Sequence, residues 1–370
     1  MTIKGIKTAG QALYRRLRRY PQAPCRGPLV RRFFASGPRQ CCLFSVMLLF
    51  LGALNIHAQT AEKRYSFSIS PILGMFYGQG EEILYKYPKN NVYISQLLWD
   101  LKPLFYLGLG LDFGPRDPYL KSGFTAAGTF KLGIPFKRAG IIEDRDWQYP
   151  DNDNLTNYSR HEAYSQRAVT VDINSGYSWR LADFLALKAY GEFSFMYFSW
   201  SAESGYYQYL KSDGSGNILP DQTWNKYIPK TPLEGKGINY TQNWFILSPG
   251  ISLQTKITPR FSTEINFSYS PLVICFARDN HLLRNMMFWD QLYFGHHIKG
   301  GSTLTFSADK NLDISLSLSY RYITGLRGNS YWKDNSYGDG IVVQNKYDGG
   351  AGYSVLDIGL AAKIRFFGRY

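Results

Sequence analysis

The chain of 370 residues is 45% hydrophobic and 16% aromatic and carries a formal net charge of +14; its mean hydropathy of −0.27 is too polar for a protein that crosses a membrane with helices. A basic balance of this size invites a nucleic-acid reading, but ten Lys and Arg and no Asp or Glu fall in residues 1–58, so the basicity belongs mostly to one end and no nucleic-acid partner is expected. That end reads as a leader. Arg39, an apolar run from Cys41 to Ile56 and then Ile56-His57-Ala58 have the layout of an export signal cut after Ala58, leaving residues 59–370 as a single domain. Cys25, Cys41 and Cys42 leave with the leader, and Cys275 remains without a partner for an internal disulfide.

From Tyr65 onward the chain alternates apolar and polar residues in long segments. In 185–197 the odd positions Leu185, Leu187, Ala189, Phe193, Phe195 and Tyr197 are apolar, opposed by Lys188, Tyr190, Glu192 and Ser194. In 312–322 the even positions from Leu312 to Tyr322 are apolar or aromatic, separated by Asp313, Ser315, Ser317, Ser319 and Arg321. The last segment, 353–367, repeats the pattern. A strand with one face for lipid and one for water produces this period of two. Segments at 65–86, 92–113, 119–146, 162–179, 184–208, 238–257, 261–280, 293–307, 312–324 and 353–367 predict ten strands. Tight turns such as Thr258-Pro259-Arg260 and Ala308-Asp309-Lys310-Asn311 alternate with longer connections near 148–164, 211–236, 282–292 and 325–352. The fold class expected is all-β: a ten-stranded antiparallel transmembrane β-barrel. Several strands exceed the roughly 9 to 11 residues that cross a bilayer, so they extend above the membrane on the long-loop side. No Rossmann glycine pattern, P-loop or zinc spacing is present.

Two pairs of ionisable residues fall on that side. Asp144 and Asp146, and Asp279 and His281, each stand at i and i+2, which in a strand puts both members on one face. A His beside an Asp is the minimum for activating a water, and two close carboxyls resist ionising together and share a proton. An Asp-x-Asp is also a common turn, and a calcium site on Asp144, Asp146, Asp151 and Asp153 is conceivable, although it lacks the glycine and terminal Glu of an EF-hand. His161, His296 and His297 have no adjacent acid and read as structural. Strict alternation from Ile265 places Asp279 on the outward face; Pro271 lies between, and a phase break is predicted between Ser270 and Arg278.

Asp144-Arg145-Asp146-Trp147 with Ser159-Arg160-His161, Asp279-Asn280-His281, Ser95-Gln96-Leu97-Leu98-Trp99 and Gly237-Ile238-Asn239-Tyr240-Thr241-Gln242 together resemble the omptin family of outer-membrane endoproteases, over nearly all of 65–367. The resemblance implies that Asp279 and His281 activate a water opposite Asp144 and Asp146, that no covalent acyl-enzyme forms, and that no cofactor or metal is used. It implies that Glu82 helps hold a basic side chain of the substrate. Ala277 and Asn157 stand where the family carries further acids, which removes support for dibasic specificity. Glu203 and Asn243 stand where it binds lipopolysaccharide phosphates, so dependence on that lipid does not carry over. The function expected is an omptin-like endopeptidase of the cell outer membrane, facing the exterior, with peptide or protein substrates and outer-membrane lipid as partners. The alternative is a catalytically silent barrel acting as an adhesin or structural protein through Tyr206-Tyr207-Gln208-Tyr209 and Tyr331-Trp332. A porin is third, since Lys188, Glu192 and Arg321 would fill its lumen.

Overall fold

The computed structural model describes residues 65–86, 92–135, 138–147, 154–211, 222–336 and 342–367. The expected leader with its three cysteines, and Asp151 and Asp153 of the calcium reading, lie outside them. Nearly all of the described residues belong to one compact unit, Ser66–Lys211 with Ile218–Phe366.

Its strands are β1 (Tyr65–Tyr85), β2 (Tyr93–Pro115), β3 (Gly123–Gly133), β4 (Gly140–Asp146), β5 (Asn157–Ala182), β6 (Leu185–Tyr209), β7 (Thr231–Lys256), β8 (Phe261–Ser270), β9 (Val273–His281), β10 (Met286–Tyr293), β11 (His296–Asp309), β12 (Leu312–Asp334) and β13 (Val342–Phe367). Three staves are each interrupted once. β3 and β4 both lie between β2 and β5, β8 and β9 both pair with β7, and β10 and β11 both pair with β12. With β13 paired to β1, the ring closes as ten staves. Closure satisfies the backbone of every strand inside the sheet, which is the condition for crossing lipid without helices; among the described residues no helix is long and apolar enough to do so.

An outward apolar band marks the membrane. Leu107, Leu109 and Leu111 on β2, Leu247, Ile251 and Leu253 on β7, Ile265 and Phe267 on β8, and Leu312 to Leu318 on β12 present exposed hydrophobic side chains. Phe245, Phe276 and Tyr293 form a ring-to-ring girdle at its upper edge, with centroids 6.1 and 6.2 Å apart. Inside the band the wall is polar. Cavities of about 290 and 440 Å³ are lined by Lys131, Asp172, Lys188, Glu192, Glu264 and Lys363 among others. Arg321 donates to Asp172 at 2.9 Å and Lys299 to Glu192 at 2.9 Å. Above this layer, Phe76, Tyr106, Phe198, Trp200, Tyr353 and Trp244 form a chain of ring contacts that reaches across the barrel between β1, β2, β6, β7 and β13.

The strands are longer than the sequence reading allowed on the upper side. β5 begins at Asn157 and β7 at Thr231, and both are 26 residues long. The segment read as a loop at 282–292 is instead a 3-10 turn, Leu282–Arg284, followed by β10. Tyr206–Tyr209 and Tyr331–Trp332, read as loop aromatics, lie in β6 and β12. The reason is that period-two alternation fades above the lipid: with water outside and packed side chains inside, outward positions tolerate aromatics, as Trp289 stacked on Tyr331 illustrates.

The three interruptions change phase. On β8 the odd residues Ile265, Phe267 and Tyr269 face out, whereas on β9 the odd residues Val273, Cys275, Ala277 and Asp279 are buried. The change happens at Pro271-Leu272, inside the predicted interval. β3 exposes Phe124, Phe130 and Leu132, but β4 buries Ile142 on the same parity, across a break that contains Pro135. β11 exposes Ile298 and Leu304, while β10 buries Asp290 and Leu292, with Phe294 in the left-handed region at φ 57° between them. Each proline or left-handed residue inserts an odd offset, so a face that would have met lipid turns inward.

Candidate active site

On β4, Asp144 lies opposite Leu97 of β2 and Ser159 of β5, and Asp146 opposite Ser95 and Asn157. On β9, Asp279 lies opposite Tyr240 of β7 and Phe288 of β10, and His281 opposite Ile238 and Met286. All four stand above the aromatic girdle. In an extended strand, i and i+2 share a face, and the phase changes make that face the inner one on both walls.

His281 Nε2 and Asp279 Oδ2 share a short hydrogen bond; in the neutral tautomer that donates it, Nδ1 carries the lone pair. Asp279 is 3% exposed and its second oxygen, Oδ1, has no protein partner; Asp144 Oδ1 and Glu82 Oε2 are buried in the same condition. Burial, and then the neighbouring Asp146 charge, push the Asp144 carboxyl well above the ordinary range, with Asp279 adding to the effect and Arg284 opposing it. Asp146 is also raised by burial but is held lower by a hydrogen bond from Ser95 and by Arg284, Asn157 and His281. Of the two carboxyls, Asp144 is thus the one whose environment more strongly favours a proton. Since Asp279 acts on Asp144, and His281 on Asp146, the two pairs share one electrostatic environment although β4 and β9 are four staves apart in the ring.

Glu82, on β1, belongs to the same cluster: burial and then the charges of Asp279, Asp290 and Asp144 raise it well above the ordinary range. Asp290, which sequence reasoning passed over, is 6% exposed and is pushed up by burial to about 7. The signal for it was the hairpin register, since a turn at 282–285 pairs 290 with 277. Ser159 was also missed as a participant. Its Oγ is 2.9 Å from His161 Nε2 and 3.4 Å from Asp144 Oδ2, and His161 Nδ1 donates to the Ser204 carbonyl at 3.0 Å. His161, read as structural, is thus the far end of a hydrogen-bond chain that begins at Asp144. His297 bonds Ser248 and His296 bonds Tyr269, both away from the acids. Asn157 touches the couple through Asp146. Among the described residues, no group of three or more His, Cys, Asp or Glu has the geometry to hold a metal ion.

The sequence model of the Omptin family matches residues 63–366. The chain belongs to the Omptin family. It is accordingly an outer-membrane β-barrel protease of the omptin type. Its structure is similar to that of the outer membrane protease OmpT from Escherichia coli, with a TM-score of 0.68 at 17% identity, covering 81% of this chain and 97% of that one; at that identity the likeness speaks for the fold. The transport unit of the autotransporter AIDA-I from Escherichia coli aligns at a TM-score of 0.32 and 11% identity, over 90% of this chain and 100% of that one. No curated protein matches the chain in sequence. In this omptin the acids stand beyond the apolar band, above the girdle of Phe245, Phe276 and Tyr293.

Proposed function

We propose that the protein is an endopeptidase that cuts exposed polypeptides with a water activated by Asp279 and His281 and directed by Asp144 and Asp146, without a covalent intermediate. The observation that carries this reading is the convergence of two acidic pairs from separate walls into one electrostatic cluster at the rim. His281 Nδ1 takes a proton from the water as its oxygen attacks the peptide carbonyl carbon. Asp279 holds the ring through Nε2 and stabilises the imidazolium. The proton kept on Asp144 is donated in a hydrogen bond to the carbonyl oxygen as it gains charge, and Asp146 fixes the water from its other side. The imidazolium then returns its proton to the departing amine as the C–N bond breaks, leaving a carboxylic acid and an amine and the enzyme as it began. No side chain acts as the nucleophile in these steps, so none has to be regenerated from an acyl form.

The test is the refolded barrel assayed on a randomised peptide library beside Asp144→Asn and His281→Ala. Each variant is expected to lose about 100-fold or more in kcat/KM, because removal of a general base or its partner costs this order. Undiminished cleavage in both variants overturns the assignment, and a wild-type protein that cuts nothing returns the chain to the silent-barrel alternative.

A further inference from the structure

The cleft holds a cation that the proposed chemistry does not use. Arg284 ends the 3-10 turn Leu282–Arg284, which joins β9 to β10 just beyond His281. The turn is braced on two sides. Leu283 Cδ1 stands against Gly237 of β7, where an added Cβ would lie 3.8 Å from it, and the Asn285 carbonyl accepts from the Asn335 amide at 2.9 Å. Arg284 is exposed and forms no ion pair among the described residues, where the pair in the cleft is that of His281 with Asp279. Its charge nevertheless reaches the facing wall: Asp144 and Asp146 of β4 and Tyr209 of β6 all respond to it, so the guanidinium is directed over the cleft.

That wall is built of facing residues in two rows. Asp144, Ser159 and Tyr207 lie side by side on β4, β5 and β6, and Asp146, Asn157 and Tyr209 form the next row. Directly opposed residues project to one side, so both tyrosines line the cleft beside the acid couple. Their rings meet with centroids 4.6 Å apart at 44°. Burial, then the Asp144 charge, push the Tyr209 phenol above its ordinary range, with Arg284 opposing, so the hydroxyl stays protonated and able to donate. Neither tyrosine hydroxyl has an acceptor among the described residues. A guanidinium without a carboxylate and two phenols without acceptors have donors to offer, and a carboxylate, with two oxygens and a charge, satisfies them together.

We propose that Arg284 is a specificity-determining residue, which with Tyr207 and Tyr209 receives an Asp or Glu side chain of the substrate near the bond cut and turns a Lys or Arg away. This rests on the peptidase reading of the site. The acid couple on the same wall repels a second anion, so the preference is carried by the Arg284 charge, and the subsite without that charge leans toward cations.

The experiment maps the bonds cut by wild-type refolded protein in a peptide library, by mass spectrometry. It then compares kcat/KM on peptides that differ only by Glu, Gln or Lys at each position flanking the bond. At one of these positions the Glu-to-Lys ratio should fall about 10-fold in Arg284→Glu, where a partly exposed attraction is exchanged for a repulsion. Arg284→Gln should lie in between and Arg284→Lys close to wild type. Tyr209→Phe, which keeps the ring, should lower the Glu-to-Gln ratio about 3-fold at the same position. A ratio taken within each variant cancels any change in the acid couple that all the peptides share, and heat-modifiable gel mobility reports that each variant is folded. A Glu-to-Lys ratio unchanged at every position in Arg284→Glu and Arg284→Gln overturns the inference while leaving the peptidase reading intact. A wild type that cuts no peptide overturns both.

Discussion

Ser159 has one proton to give and two neighbours to receive it. His161 spends its Nδ1 hydrogen on the Ser204 carbonyl, and burial lowers its affinity for a second proton, so Nε2 is an acceptor. Ser159 Oγ donates to Asp144 Oδ2 at 3.4 Å, and this bond draws the carboxyl down against the larger upward push of burial and the Asp146 charge. The hydroxyl thus favours the ionised form of Asp144. Removing it in Ser159→Ala should strengthen the couple's hold on its proton and move the alkaline limb of the pH–rate profile to higher pH, with kcat reduced about 10-fold at the optimum. A limb displaced to lower pH would mean that Ser159 gives its proton to His161 and accepts one from Asp144 instead. The i, i+2 spacing of the two acidic pairs was legible in the sequence because a strand repeats every second residue. The Ser159 chain was not, since it depends on Ser204 adopting φ 51° at a bulge in β6, which brings a carbonyl to His161.

At the level of strands, the lipid-facing halves were readable because hydrocarbon outside and water inside impose strict alternation. The upper halves escaped that constraint. The break at Pro271-Leu272 was foreseeable from the proline, whereas the turn Leu282–Arg284 was hidden by leucines that compose no familiar turn and by a left-handed Asn285 that closes it. The offset of β9 against β8 is what turns Asp279 inward. Deleting Leu272 should restore continuous phase, bring Phe276 and Arg278 to the interior and put Asp279 and Ala277 outside. Cleavage should disappear and urea stability in detergent micelles should fall, whereas deletion of an exposed turn residue such as Lys310 should preserve activity. A Leu272 deletion that still cuts peptides would show that the stretch re-registers by another route.

The whole barrel is tied across its lumen by charges as well as by rings. Arg321 of β12 reaches Asp172 of β5, and Lys299 of β11 reaches Glu192 of β6, so strands with no shared backbone ladder are joined. Arg321→Met should leave Asp172 with the Ser194 hydroxyl and, as its cation, Lys299 at 3.9 Å, and destabilise the barrel by about 3 kcal/mol in micelle unfolding, because removing the closer cation leaves a buried charge poorly compensated. Adding Asp172→Asn should recover most of that loss. A single variant as stable as wild type would assign the tie to the aromatic layer alone.

That layer also narrows the barrel. Phe76, Tyr106, Phe198, Trp200 and Tyr353 are all nearly inaccessible to solvent and meet ring against ring midway along the barrel. Rings buried this completely leave little free cross-section at that level, a packing suited to a hydrolase set in a permeability barrier.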